Sequence, residues 1–267
     1  MRRLLAVHIQ TSSERLTQLL IPLFSQNSSV TDKIEDTFEV VEIDRQVHIF
    51  HNKTCVARCA VDELVPTLKA RITEQVVLKS SPDIALHAAC LLSDGKGLLV
   101  SGRPGAGKTT LAVHLMEAGL EYAADDVVLI APDGRATGVL FAPTLKSGAW
   151  AMIEKFRPDL GKSAVHSRLD GKRVRYLNLP STIRNGGVPV GWIVFINRAL
   201  NIPAKLAPLG QLETISRLID GSYSPDGKLT QQGFCTIRRI LADAKSFELQ
   251  YSDAARARDA IVDLCYG

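Results

Sequence analysis

Residues 102–109 read Gly-Arg-Pro-Gly-Ala-Gly-Lys-Thr. This is the pattern G-x-x-x-x-G-K-[ST] in full, and each position has a physical reason. Glycines let the backbone curl into a nest of N–H donors, and a helix that follows turns its positive end toward a bound anion. Lys108 adds a mobile charge and Thr109 a hydroxyl suited to Mg²⁺. At average residue frequencies a chain of this length matches the pattern by accident on the order of one time in a hundred. The context lowers those odds, because apolar LLV (98–100) enters the loop and TLAVHLMEA (110–118), a good helix former, leaves it. Gly102, Arg103, Pro104, Gly105, Ala106, Gly107, Lys108, Thr109 and Thr110 are therefore expected to cradle the phosphates of ATP with Mg²⁺. A dinucleotide fingerprint fits poorly, since Thr110 stands where its third glycine belongs.

Nucleotide hydrolases with this loop place a metal-orienting aspartate at the end of a buried strand. No apolar run closes convincingly on an acid here: GWIVFI (191–196) runs into Asn197-Arg198. The good candidates are Asp125 and Asp126, which stand before VVLI in AADDVVLI (123–130). A carboxylate within reach of an acceptor hydroxyl can take its proton as a γ-phosphoryl moves across, and a second can hold Mg²⁺ beside Thr109. Which acid takes which role is left open by the residues alone.

The rest of the chain supports a folded protein. Its 267 residues, 46% hydrophobic and 22% charged, are enough for a sizeable core and far from the composition of a disordered segment. The net charge of +4 is small and scattered, so neither a nucleic acid nor a membrane surface is indicated as a partner. The start MRRLLAVHIQTSSE is broken by His8, Gln10 and Glu14, no apolar stretch is long enough to span a bilayer, and a cytosolic location is expected. Five cysteines without CxxC spacing suggest reduced thiols, and the grouping of His48, His51, Cys55 and Cys59 matches no structural zinc pattern.

Texture divides the chain near residue 80. Before it, a strand or helix and a loop at SQNSS precede a meander of FEVVEI, VHIF and TCVARCAV and a helix over residues 61–79, a small α+β module of residues 1–80. After Ser81-Pro82, strands alternate with helices through residues 81–267. ALHAACLL and KGLLVSG read as a hairpin, residues 108–118 as a helix closed by Gly119, and AADDVVLI as a strand. LKSGAWAMIEKF reads as a helix, GWIVFI as a buried strand, QLETISRLID as a helix, and SFELQY as a strand before a helix capped by Ser252.

From His87 to Ile130 the chain resembles the catalytic domain of bacterial HPr kinase/phosphorylase, in which a histidine precedes the phosphate loop and a D-D pair follows it. His87 lies 15 positions before Gly102, Asp125 and Asp126 lie 23 and 24 after it, and Gly119 also falls in register. The resemblance implies an α/β fold of the HPr-kinase/PEP-carboxykinase type, a mixed sheet flanked by helices. It implies a kinase acting on a hydroxyl, with Asp126 as base, Asp125 on the metal or in orientation, and His87 and Lys108 assisting. PTLKSGAW (143–150) puts Lys146 where that family has a metal-binding glutamate, and Thr109-Thr110 replaces its usual Ser-Glu. The later segments resemble an HPr-kinase-related group that includes kinases of lasso-peptide clusters. By that similarity Lys146 and Arg198 are phosphate or substrate candidates, with Glu154 standing in for the missing carboxylate. The expected acceptor is a serine of a protein or peptide. A small-molecule hydroxyl is the near alternative, and a nucleotide-binding regulator without transfer the further one; the resembled family also assembles into homo-oligomers.

Overall fold

The computed structural model describes residues 7–24, 36–80, 82–139, 141–178, 187–223 and 229–267. In chain order the strands and helices are β1 (Val7–Thr11), α1 (Glu14–Leu20), β2 (Asp36–Ile43), β3 (Gln46–His51), β4 (Thr54–Cys59), α2 (Leu64–Ser80), β5 (Ile84–Leu86), β6 (Ala88–Ser93), β7 (Lys96–Ser101), α3 (Lys108–Glu117), β8 (Glu121–Ala124), β9 (Val128–Ile130) and β10 (Arg135–Gly138). There follow β11 (Thr144–Lys146), α4 (Ser147–Ile153), β12 (His166–Ser167), β13 (Arg173–Tyr176), β14 (Val188–Arg198), β15 (Lys205–Pro208), α5 (Gln211–Asp220), β16 (Ser222–Tyr223), α6 (Gln231–Asp243), β17 (Lys245–Tyr251) and α7 (Ala254–Tyr266). The architecture is mixed α/β, with sheets and packed helices. No helix among the described residues is long and apolar enough to cross a membrane.

The chain divides into two compact units, Met1–Ser81 with Phe141–Ser181, and Pro82–Leu140 with Thr182–Gly267. In the first, β2, β3 and β4 form the antiparallel meander that alternation predicts, and β1 adds in parallel to β2. Helix α2 buries Leu64, Leu68, Ile72 and Val76, the helically spaced residues. The SQNSS turn lies outside the described residues. Residues 141–178, which the linear reading assigned to the later part of the chain, supply this unit with a second sheet in the order β11-β13-β12. His51 pairs with the buried Asp36 at 2.6 Å, as does Lys79.

The second unit holds a ten-stranded mixed sheet. Its centre is β14, parallel to both β7 and β17 and antiparallel to β10 through Val188 and Pro189. A register shift between Val190 and Trp192 lets β14 change partners along its length. Leu98, Leu99, Val100, Ile193 and Val194 are at most 1% exposed, as an apolar run with both faces covered should be. Burying each such side chain is worth about 2 kcal/mol.

Several expectations change at element ends. The helix predicted from Leu145 begins at Ser147, because Lys146 is still extended and paired with Val174. The cap of α7 is Asp253, whose side chain accepts from the Arg256 amide, and Ser252 instead donates to the Ile202 carbonyl. Helix α6 was not anticipated. Its apolar stripe Ile237, Ile240 and Leu241 is diluted by Gln231, Gln232, Arg238 and Arg239.

The larger change lies at ALHAACLL and AADDVVLI, which do run antiparallel to one another. Their ladder opens in the middle. Leu86 faces Val128 and Cys90 faces Ala124, so equal lengths of chain separate the two pairs and one register spans the gap. His87, Asp125 and Asp126 fall in the opening, between β5 and β6 on one side and β8 and β9 on the other. Following the sheet from β5 through β9, β10, β14 and β7 to β6 returns to the same stretch of chain.

Candidate active site at the phosphate loop

The loop from Gly102 to Gly107 leaves the carboxyl end of β7 and enters α3, whose first residue is Lys108. Gly107 caps that helix at φ +102°, and a Cβ there would meet the Tyr251 hydroxyl at 2.8 Å, so glycine is required twice over. Arg103 and Pro104 are exposed, and Thr110 is half-buried in the first turn of α3. The Lys108 ammonium donates to the Gly102 carbonyl at 2.8 Å and the Arg103 carbonyl at 3.3 Å, which holds it over the loop. Gly119 takes the left-handed position after α3, at φ +99°.

Across the opened ladder, Asp125 is 2% exposed and both its oxygens accept from the Thr109 hydroxyl, at 3.1 and 2.8 Å. Asp125 directly follows β8, a short strand whose Tyr122, Ala123 and Ala124 are buried. An acid at the end of a buried strand is thus present after all. It escaped the sequence reading because EYAA is short and weakly apolar, and the ladder that makes it a strand is formed by β6, far away in sequence.

Asp126 is half-buried and has φ +74°, a left-handed backbone that side chains other than glycine seldom adopt and that aspartate tolerates better than most. Residues held in such conformations cost of order 1 kcal/mol and cluster at functional sites. His87 Nδ1 donates to the main-chain carbonyl of Asp126 at 2.9 Å, which requires the proton on Nδ1. The imidazole therefore holds the backbone of Asp126. Its own position is secured by the His87 amide, which donates to the Gly221 carbonyl. Burial pushes the Tyr122 phenol well above its usual range, and the charges of Asp125 and Asp126 beside it push the same way.

Gly138 on β10 explains how the acids are held. A Cβ there would collide with the Ala124 side chain and the Ala123 carbonyl, so only a glycine lets β10 lie this close to β8.

Arg198 is the exposed last residue of β14, level with Tyr251 on β17. Lys146 and Glu154 lie in the first unit, whereas the loop, His87, Asp125, Asp126 and Arg198 lie in the second. Within the first unit, Glu154 is paired with Arg175 at 2.6 Å. Tyr251 was missed by sequence reasoning: SFELQY reads as a strand, but nothing local says that its last residue reaches the loop.

Known proteins resemble the chain over part of its length. It is 36% identical over 61 residues to the putative HPr kinase/phosphorylase 2 of Oceanobacillus iheyensis, a match covering 23% of this chain and 20% of the relative. It is 35% identical over 78 residues to the HPr kinase/phosphorylase of Geobacillus kaustophilus and 33% identical over 78 residues to that of Bacillus subtilis, each match covering 29% of this chain and 25% of the relative. Over the matched part the chain is similar to HPr kinase/phosphorylases. It spans 20 to 25% of the length of these curated relatives. No family model matches. Among solved structures, the Hpr(Ser) kinase/phosphatase from Coxiella burnetii is similar at a TM-score of 0.30 and 11% identity, over 67% of this chain and 97% of that one.

Proposed function

We propose that this chain is an ATP-dependent kinase that transfers the γ-phosphoryl group to a hydroxyl, that of a serine in a protein or peptide. The observation that carries the reading is the Thr109–Asp125 pair, with Asp126 next to it in a left-handed backbone. A carboxylate bonded to the loop hydroxyl is the arrangement that holds Mg²⁺ against a bound triphosphate. The two side chains fit that ion, being hard oxygen donors, and Mg²⁺ when bound would neutralise charge on the phosphates.

In this reading the loop amides and Lys108 bind the phosphates and draw charge toward the leaving β-phosphate oxygen. Asp126 accepts the proton of the acceptor hydroxyl. The hydroxyl oxygen forms a bond to phosphorus, the bond from phosphorus to the bridging oxygen breaks, and ADP leaves carrying the electron pair. His87 fixes the Asp126 backbone so that the carboxylate need not reorganise. A protein acceptor is supported by the similarity to HPr kinase/phosphorylases, and Arg198, exposed at the end of β14, is a candidate contact for it.

The test incubates the chain with Mg²⁺, labelled ATP and a lysate or peptide library. Parent protein should label an acceptor, while Asp126→Asn and Lys108→Ala each lose about a hundredfold of the rate, given what a general base or a phosphate clamp contributes. Asparagine is the right replacement because it tolerates the left-handed backbone while removing the base. Transfer by Asp126→Asn at the parental rate would overturn the assignment of the base. Nucleotide binding with no transfer to any acceptor would favour a regulator.

A further inference from the structure

The Tyr251 side chain is 1% exposed, and its hydroxyl donates to the Ala106 carbonyl at 3.1 Å, across 145 positions of sequence. That carbonyl belongs to the peptide that carries the Gly107 amide. In a trans peptide the C=O and N–H point to opposite sides, and no cis peptide occurs among the described residues. Tying the Ala106 oxygen to the β17 side therefore aims the Gly107 N–H away from Tyr251. From the structure we infer that Tyr251 is a positioning residue, whose hydroxyl fixes the Ala106–Gly107 peptide so that the Gly107 amide faces a bound phosphate. The inference rests on the nucleotide-binding reading of this loop.

Three further observations agree with it. The close approach at Gly107 leaves the phenol as the surface against which the loop is folded. Burial raises the phenol's proton affinity, and although Arg198 pulls the other way the hydroxyl stays above its usual range, so it remains a donor at neutral pH. Parallel pairing of β17 with β14, and of β14 with β7, brings the end of β17 to the same edge as the strand that delivers the loop. Ligands of α/β sheets bind at that edge. A flexible loop pays for ordering each time it binds, and the hydroxyl removes part of that cost in advance.

Tyr251→Phe keeps the ring and deletes only the donor. In carbon- and nitrogen-labelled protein without nucleotide, the Ala106 carbonyl-carbon and Gly107 amide-nitrogen resonances should shift while those of α7 do not. With MgATP, the nucleotide KM should rise about fivefold, the worth of one neutral hydrogen bond, with kcat kept. A role confined to packing would instead lower the unfolding midpoint and leave both the Ala106 carbonyl resonance and KM in place. Unchanged resonances, or an unchanged KM in a preparation where Lys108→Ala has lost ATP binding, would overturn the inference and leave the kinase reading intact. If parent protein binds no nucleotide, both fall together.

Discussion

At the residue scale, Asp125 and Asp126 show how two neighbours of identical chemistry are held in different surroundings. Asp125 is buried and bonded through both oxygens to Thr109, while Asp126 is half-buried with its main chain held by His87. Under the proposed function the Thr109 hydroxyl supports a metal-binding carboxylate, and it can be removed with little change of shape. Thr109→Val should therefore raise the Mg²⁺ concentration needed for half-maximal transfer by about tenfold, the value of a hydrogen bond to a charged group, whereas Thr109→Ser should retain the parental value. A Mg²⁺ titration of the transfer rate decides this, and parental behaviour of Thr109→Val would remove the hydroxyl from the metal site. The motif residues were legible in the sequence because their chemistry depends on short spacing. The different surroundings of the two acids were not, because they depend on which one the strand β8 delivers to Thr109.

At the scale of elements, the site is a break in a ladder. The strands flanking His87 and those flanking the acids share one register, with ladder pairs ending at Leu86–Val128 and Cys90–Ala124, and β10 closes over β8 only because residue 138 has no side chain. Inserting a methyl group against a backbone carbonyl cannot be absorbed by a rotamer change. Gly138→Ala should reduce the unfolding free energy by about 1–3 kcal/mol, the usual cost of overpacking. Chemical denaturation of the two proteins would show it, and an unchanged midpoint would mean that β10 can move off β8. Periodicity predicts that AADDVVLI and ALHAACLL are extended, and they are. It is blind to the opening, since alternation reports which face a residue takes and not whether its backbone is paired.

At the scale of the whole molecule, both units contain groups that bind protons less readily when folded. Burial lowers the proton affinity of His114 in the second unit and His166 in the first. For Asp36 in the first unit burial alone would raise the pKa, but the hydrogen bonds and charges of Lys79 and His51 outweigh it and hold the carboxyl below its usual value. All three shifts have the same sign. A depressed folded pKa contributes stability above the unfolded value that is lost as pH falls through the folded one. The unfolding midpoint should therefore be flat near neutrality, begin to fall below about pH 6.5 as unfolded histidine takes up protons, and fall again below about pH 4 as Asp36 protonates. Thermal melts across that range test this, and a midpoint that held steady down to about pH 5 would mean that the buried imidazoles charge without cost.

By itself the sequence determined that this protein carries a glycine-rich loop followed by a helix, that two acids and a histidine stand at fixed offsets from it, and that a strand-rich meander precedes them. These follow from local rules: residue chemistry at short spacing, helix stops and alternating burial. Only the tertiary structure decided that residues 141–178 join the amino-terminal unit, that Asp125 reaches Thr109, that the ladder opens at the acids, and that Tyr251 closes on the loop from 145 positions away. Those facts depend on which distant strands share a ladder. Pairing is settled by burial summed over the whole core, a quantity that no local window of sequence contains.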